Sequence, residues 1–287
     1  MSFYLSAVIL GLGFASLAMG IFISMRIFNI PDITTDGSFT LGGVVAAVLI
    51  SGGHSPLVAL PIAFLAGAIA GALTGIIHTR LKVNALLAGI LVMTALYSIN
   101  LALMGRSNLP LINTPTIFNS LFIPGTEIQQ QFIVLIIIIS IILVTLVWLM
   151  KTDFGLAMRA TGNNEKMIRA LGVNTDVMKI FGLALANGLT AVSGYLITQV
   201  QGFADINMGI GIVIIGLGSV MIGQILFSFK RKETIMIQLL GVIVGSILFR
   251  MILAFALSIG IDAIYLKLVV AIFVLAVVSI PNIKSKA

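Results

Sequence analysis

Apolar residues fall in long runs at about 3–27, 39–51, 56–79, 84–104, 131–150, 178–200, 209–228, 235–257 and 263–280, with short polar stretches between them. Most runs can cross a hydrocarbon layer of about 30 Å as helices that satisfy their own backbone hydrogen bonds. The second run is too short. It follows Asn29-Ile30-Pro31-Asp32-Ile33-Thr34-Thr35-Asp36-Gly37-Ser38, a polar stretch that cannot face lipid. This predicts a half-helix packed inside a bundle, with Asp36 or Ser38 as its N-cap. The expected fold is all-α: one polytopic transmembrane bundle over 1–287, of about eight to nine spans, one of them broken or half-length.

Composition supports a membrane solvent. Apolar residues make up 60% of the chain and charged residues 9%, whereas soluble domains carry about a quarter charged residues. The net charge of +7 does not imply nucleic acid, because the positive residues form short clusters between apolar runs without an aromatic-rich polar surface. With the N-terminus outside, the cytoplasmic loops and ends hold Arg26, Arg80, Lys82, Lys151, Arg159, Lys166, Arg169, Lys179, Lys230, Arg231, Lys232, Lys284 and Lys286, which is 13 of 16. That bias sets the expected orientation, with the C-terminus cytoplasmic, in a plasma (inner) membrane. No Lys or Arg precedes Arg26, so 3–25 reads as an uncleaved first helix rather than a secretory signal. Trp148 then lies at the cytoplasmic interface. Disulfides and thiolate metal sites are excluded by the absence of Cys.

Small residues recur at four-residue spacing: Gly67, Gly71 and Gly75, then Gly241 and Gly245. The spacing permits close helix approach, within the chain or across a dimer. The proline-containing loop 105–130 is expected outside, as a linker or as part of a docking surface for a delivery protein.

The largest cytoplasmic loop, 151–178, has internal order. Gly162 and Asn163 can cap a short helix from about Asn164 to Leu171, and Gly172 supplies a left-handed stop. Glu165 falls in the first turn and Arg169 in the last, as the helix dipole favours. Met167, Ile168 and Leu171 share one face. So short a helix needs something to bury that face against: the membrane, its own bundle, or a groove on a cytoplasmic partner.

The run Ala160-Thr161-Gly162-Asn163-Asn164-Glu165-Lys166-Met167-Ile168-Arg169-Ala170-Leu171-Gly172-Val173-Asn174 resembles the coupling loop of ATP-binding-cassette importer permeases of the branched-chain amino acid and ribose type. The lead-in Lys151 to Arg159, the stretch Gly11 to Ala47 and the glycine-rich run Gly209 to Gly223 are also similar to that family. The resemblance implies that Asn163, Asn164, Glu165, Met167, Ile168, Arg169, Leu171 and Gly172 form the ATPase-coupling surface. It also implies a second permease copy, two cytoplasmic ATPase subunits and an external solute-binding protein. The stretch Asn29 to Gly37 departs from the branched-chain pattern and resembles a subgroup assigned to aromatic amino acids. No Gly-x-x-x-x-Gly-Lys-Ser/Thr loop occurs, so ATP and Mg are expected on the partner and no cofactor in this chain.

Two polar clusters sit at or near membrane depth: Asp32, Thr34, Thr35, Asp36 and Ser38, then Gln199, Gln201, Asp205 and Asn207. Each precedes a glycine-containing apolar run, which suits a broken helix on a transport path. Asp32, Thr35, Asp36, Ser38, Asp205 and Asn207 are therefore candidate path or gate residues; ordinary loop caps would look the same. Asp32, Asp36 or Asp205 could alternatively couple an ion gradient in a secondary transporter. Arg250 lies deep in an apolar run, where a structural ion pair with Asp262 is expected to offset its cost, the alternatives being snorkelling outward or contact with substrate. His54 and His78 lie too far apart to share a metal, and no catalytic constellation appears, so neither a metal site nor an enzyme is expected.

Overall fold

The computed structural model describes residues 2–112, 114–120, 125–227 and 234–284. The chain runs α1 (Ser2–Ile21), a π-helical turn (Phe22–Ile27), α2 (Thr34–Ser51), α3 (Pro56–Thr79), α4 (Ala85–Met104), β1 (Asn108–Pro110) and α5 (Ile117–Ser120). It continues through α6 (Glu127–Lys151), α7 (Asp153–Asn163), α8 (Glu165–Ala170), α9 (Thr175–Gln201) and β2 (Phe203–Asp205). It closes with α10 (Ile212–Phe227), α11 (Ile235–Ser258), a 3-10 turn (Ala263–Tyr265) and α12 (Leu266–Lys284). Seven of these helical segments are long and apolar enough to cross a membrane, while α10 and α12 are shorter apolar helices. The fold is an all-α polytopic bundle. Lys230, Arg231 and Lys232, Lys286 and Pro124 lie outside the described residues.

Helix α9 is the hub. It packs against α1, α2 and α3, and most of it is buried. The glycine ladder of α3 makes this possible. A Cβ on Gly67, Gly71 or Gly75 would strike Asn187, Leu183 or Ile180 of α9. The tandem spacing therefore serves packing within the chain, and Gly241 and Gly245 do the same between α11 and α10. The outer faces of α3, α4 and α6 carry exposed Leu65, Ile69, Leu73, Leu91, Ile141 and Val144. An apolar belt of this kind is satisfied by lipid.

Two expectations about broken elements change. The segment after the first span is not a half-helix capped by Asp36 or Ser38. Helix formation starts at Thr34, with Ile33 at the N-cap position, so α2 gains a full turn of polar residues. That turn is tolerated because Thr34, Thr35, Asp36 and Ser38 are all buried against the bundle rather than facing lipid. The interrupted element is α10. After α9, the chain forms β2, which pairs antiparallel with β1 (Asn108 opposite Asp205). It then turns back into the bundle alongside α2. Met208 reaches Gly43, and Gly209 lies against Asp36 and Thr40. Since β2 packs near Val44 and Ala47, this return covers roughly 12–16 Å of the α2 axis at 1.5 Å per residue. Helix α10 thus begins inside the bundle.

Candidate functional site

At the end of the bundle opposite β1 and β2, α7 and α8 form a folded surface loop. The Thr152 hydroxyl caps α7 by accepting from Gly155 N–H at 3.2 Å. The Asn164 side chain caps α8 by accepting from Met167 N–H at 3.1 Å. Gly162 and Asn163 are therefore not the caps of the short helix; they complete the last turn of α7. Gly162 stands there for another reason. A Cβ on it would collide with the carbonyl oxygen of Ile27. Its own carbonyl accepts from Asn29 Nδ2 at 3.3 Å. Helix α7 thereby lies flush on the π-helical end of the first span. Gly172 adopts φ +86°, the left-handed stop expected of it.

Helix α8 is clamped to the first turns of α9. Lys179 Nζ lies 2.7 Å from Glu165, and Arg169 reaches Glu165 at 3.1 Å and Asp176 at 3.2 Å. The Thr175 hydroxyl sits between them, accepting from Arg169 and donating to Glu165. The Lys179 ammonium holds the Glu165 carboxyl below its ordinary range, against a smaller opposing effect of burial. The expected single face of Met167, Ile168 and Leu171 is split. Ile168 is 6% exposed and anchors the helix to its own bundle, whereas Met167 and Leu171 are 54% and 71% exposed. Two large apolar side chains are thus left projecting from a clamped helix.

The polar clusters resolve into separate structures. The Asp32 carboxylate accepts from Thr34 N–H at 2.9 Å and from Asn187 Nδ2 at 2.6 Å. Asn187 Oδ1 accepts in turn from the Ser38 hydroxyl at 2.7 Å. The Thr35 hydroxyl donates to the Asp32 carbonyl. Asp32, Thr35 and Ser38 are fully enclosed, and through Asp32 and Ser38 the start of α2 is tied to Asn187 of α9. Asp36 does something else. Its two carboxylate oxygens accept from Gly211 N–H at 2.9 Å and Val213 N–H at 3.0 Å. It caps the buried start of α10, where free N–H groups and the helix dipole favour an anion.

Asp205 and Asn207 line a cleft beside β2 that also holds Arg250. The expected Arg250–Asp262 pair does not form. Asp262 accepts instead from Ile264 N–H at the start of the terminal helix. Arg250 stacks its guanidinium 3.8 Å from the centre of the Phe14 ring. Sequence reasoning missed Asn187, which shows no motif, and the Phe14–Arg250 stack, whose partners lie on the first and penultimate long helices.

These features define a class: a multi-pass membrane bundle, with a surface loop held to its central helix and a helix whose start is capped inside the bundle. The family model for the branched-chain amino acid transport system permease component matches residues 3–279, and the chain belongs to that family. The tyrosine transport system permease protein of Clostridioides difficile is 39% identical over 93% of this chain and 87% of its own. An uncharacterized protein of Rickettsia prowazekii is 37% identical, covering 89% of each. The ribose import permease of Haemophilus influenzae is 26% identical over 73% of this chain and 64% of its own. No solved structure matches the chain.

Proposed function

We propose that this chain is the membrane-spanning subunit of an ATP-binding-cassette importer that moves a small organic solute inward, an amino acid or a close relative of one. Two copies form the pathway. Two ATPase subunits dock on loop 151–178 and carry the ATP and Mg. An external binding protein delivers the solute at the β1–β2 end. The loop is then cytoplasmic, with the N-terminus outside and the C-terminus inside.

The observation that carries this reading is the pair Met167 and Leu171, held outward on a helix whose other side is fixed by Glu165, Lys179 and Arg169. A partner that binds them pulls on α8 and, through the Glu165–Lys179 pair, on α9. Helix α9 is tied to α2 through Asn187, and α2 to α10 through Asp36. A push at the loop is then passed to α10 through polar contacts between packed helices, and alternating access needs such a connection across the bundle. The ion-gradient alternative finds less support, since Asp32, Asp36 and Asp205 each accept hydrogen bonds from donors of the chain itself.

Purification of the complex tests this. Met167→Asp with Leu171→Asp is expected to strip the co-purifying ATPase while leaving a monodisperse permease. Retention of the ATPase at wild-type ratio, or uptake that persists after ATP depletion, would sink the reading.

A further inference from the structure

The cleft beside β2 has a volume of about 340 Å³, within the range of about 300–1,000 Å³ usual for small-molecule sites. Its floor holds Arg250, roughly 12 Å below the end of α11 by helical rise. Among the described residues, Arg250 forms no ion pair and no hydrogen bond, and its Nε is buried without an acceptor. One face of its guanidinium is occupied by Phe14, which itself stacks on Phe39 at 5.5 Å. The guanidinium N–H groups make no hydrogen bond to the described residues. A cation at membrane depth without an anion is costly, which makes its surroundings a candidate functional site. A guanidinium edge matches the two oxygens of a carboxylate.

The same cleft supplies the complementary charge. Asp205 borders it, held in place by Asn207 N–H at 2.8 Å and Asn108 Nδ2 at 3.3 Å. Those two bonds leave acceptor capacity on the carboxylate. Ile197, Met208 and the phenylalanine pair provide an apolar wall.

We propose that this cleft is a solute site for zwitterionic α-amino acids with apolar or aromatic side chains, with Arg250 taking the carboxylate and Asp205 the ammonium. The proposal rests on the permease reading and gives that reading a substrate class.

The test uses the permease–ATPase complex in nanodiscs, without binding protein, so that only the membrane subunit selects. Equilibrium binding of labelled L-phenylalanine and L-leucine is compared with that of phenylalaninamide and 3-phenylpropionate. Wild type is expected to prefer each amino acid over the amide by tenfold or more. Arg250→Gln should erase that preference, and Arg250→Lys should restore part of it. Asp205→Asn should erase the preference for phenylalanine over 3-phenylpropionate. An unchanged amino-acid-to-amide ratio in Arg250→Gln overturns the proposal, including where that variant loses its second permease copy instead. So does the absence of saturable binding of either amino acid up to about 10 mM, an affinity of only a few kcal/mol. ATP-dependent uptake by the full complex is measured in parallel. If uptake is ATP-dependent while the binding result fails, the site is wrong and the importer reading stands; if ATP dependence is absent, the importer reading itself fails.

Discussion

The side-chain amide of Asn187 donates to the carboxylate of Asp32 at 2.6 Å, in the fully buried interface between α2 and α9. Asn187 uses its other end to accept from Ser38, so one residue of the central helix joins the segment before α2 to the first turns of α2 itself. The network is complete for Asp32, Asn187 and Ser38, which is what makes it tolerable at this depth.

Breaking that network should be expensive. Asn187→Ala leaves Asp32 with Thr34 as its partner and leaves the Ser38 hydroxyl without its acceptor. The expected loss is about 2–4 kcal/mol, read as a lower unfolding midpoint of the purified permease in detergent. The exchange Asp32→Asn with Asn187→Asp keeps a carboxylate facing an amide and should recover part of that loss. If the double exchange is no better than the sum of its single changes, the pair is not coupled as described.

Asp36 behaves differently from an ordinary helix cap. Asparagine normally caps almost as well as aspartate, and on sequence alone Asp36→Asn would be nearly silent. The geometry says otherwise, because Gly211 and Val213 each donate to a different oxygen. Asparagine offers one oxygen and points an NH2 at the second donor. Asp36→Asn should therefore cost about half as much as Asp36→Ala, which strands both donors at about 2–4 kcal/mol. Comparison of the two variants by thermal unfolding, with uptake measured alongside, checks this. A silent Asp36→Asn would mean that one N–H needs no partner.

The clamp on α8 should fail in acid. Glu165 lies below its ordinary value of 4.5, chiefly because Lys179 hydrogen-bonds its ionised form. A depressed carboxyl stabilises the folded state fully above its unfolded value. That contribution disappears as pH falls from about 4.5 through the depressed folded value. Amide exchange in 165–171, corrected for intrinsic rate, should show α8 protected at pH 7 and loosened near pH 4. In Glu165→Gln the protection should already be reduced at pH 7 and change little with pH. Identical profiles in wild type and variant would remove Glu165 from the clamp.

How much of this was legible depended on whether a residue's role was local. The span of α8 and its stop at Gly172 were placed to within a residue, though the cap is Asn164 rather than Gly162 or Asn163, because helix ends are decided by nearby backbone groups. The glycine spacing in α3 announced a close helix contact, though not with α9. The roles of Asp36 and Arg250 were not readable. Each is defined by a segment far along the chain: Gly211 and Val213 for Asp36, and Phe14 for Arg250. Periodicity carries no information about such pairings. The split of the Met167, Ile168 and Leu171 face had the same origin, since only the packed bundle decides which member of an apolar stripe is covered.

Gly162 offers the most direct test of how the loop holds the pathway. It lies in the last turn of α7, and a Cβ there would collide with the carbonyl oxygen of Ile27 in the π-helical turn. That oxygen is backbone and cannot rotate away, so α7 must lift or the π-helical turn must shift. Met167 and Leu171 project from α8 and make no part of this contact. Gly162→Ala should therefore insert normally and retain the ATPase through Met167 and Leu171, yet lose most of its transport while ATP hydrolysis continues. Uptake and ATP hydrolysis measured on the same reconstituted sample would show this uncoupling as a fall of about tenfold or more in solute moved per ATP, a change equivalent to about 1.4 kcal/mol. An unchanged ratio would mean that the seat of α7 on the first span carries no part of the stroke, leaving the α8–α9 clamp as the working connection.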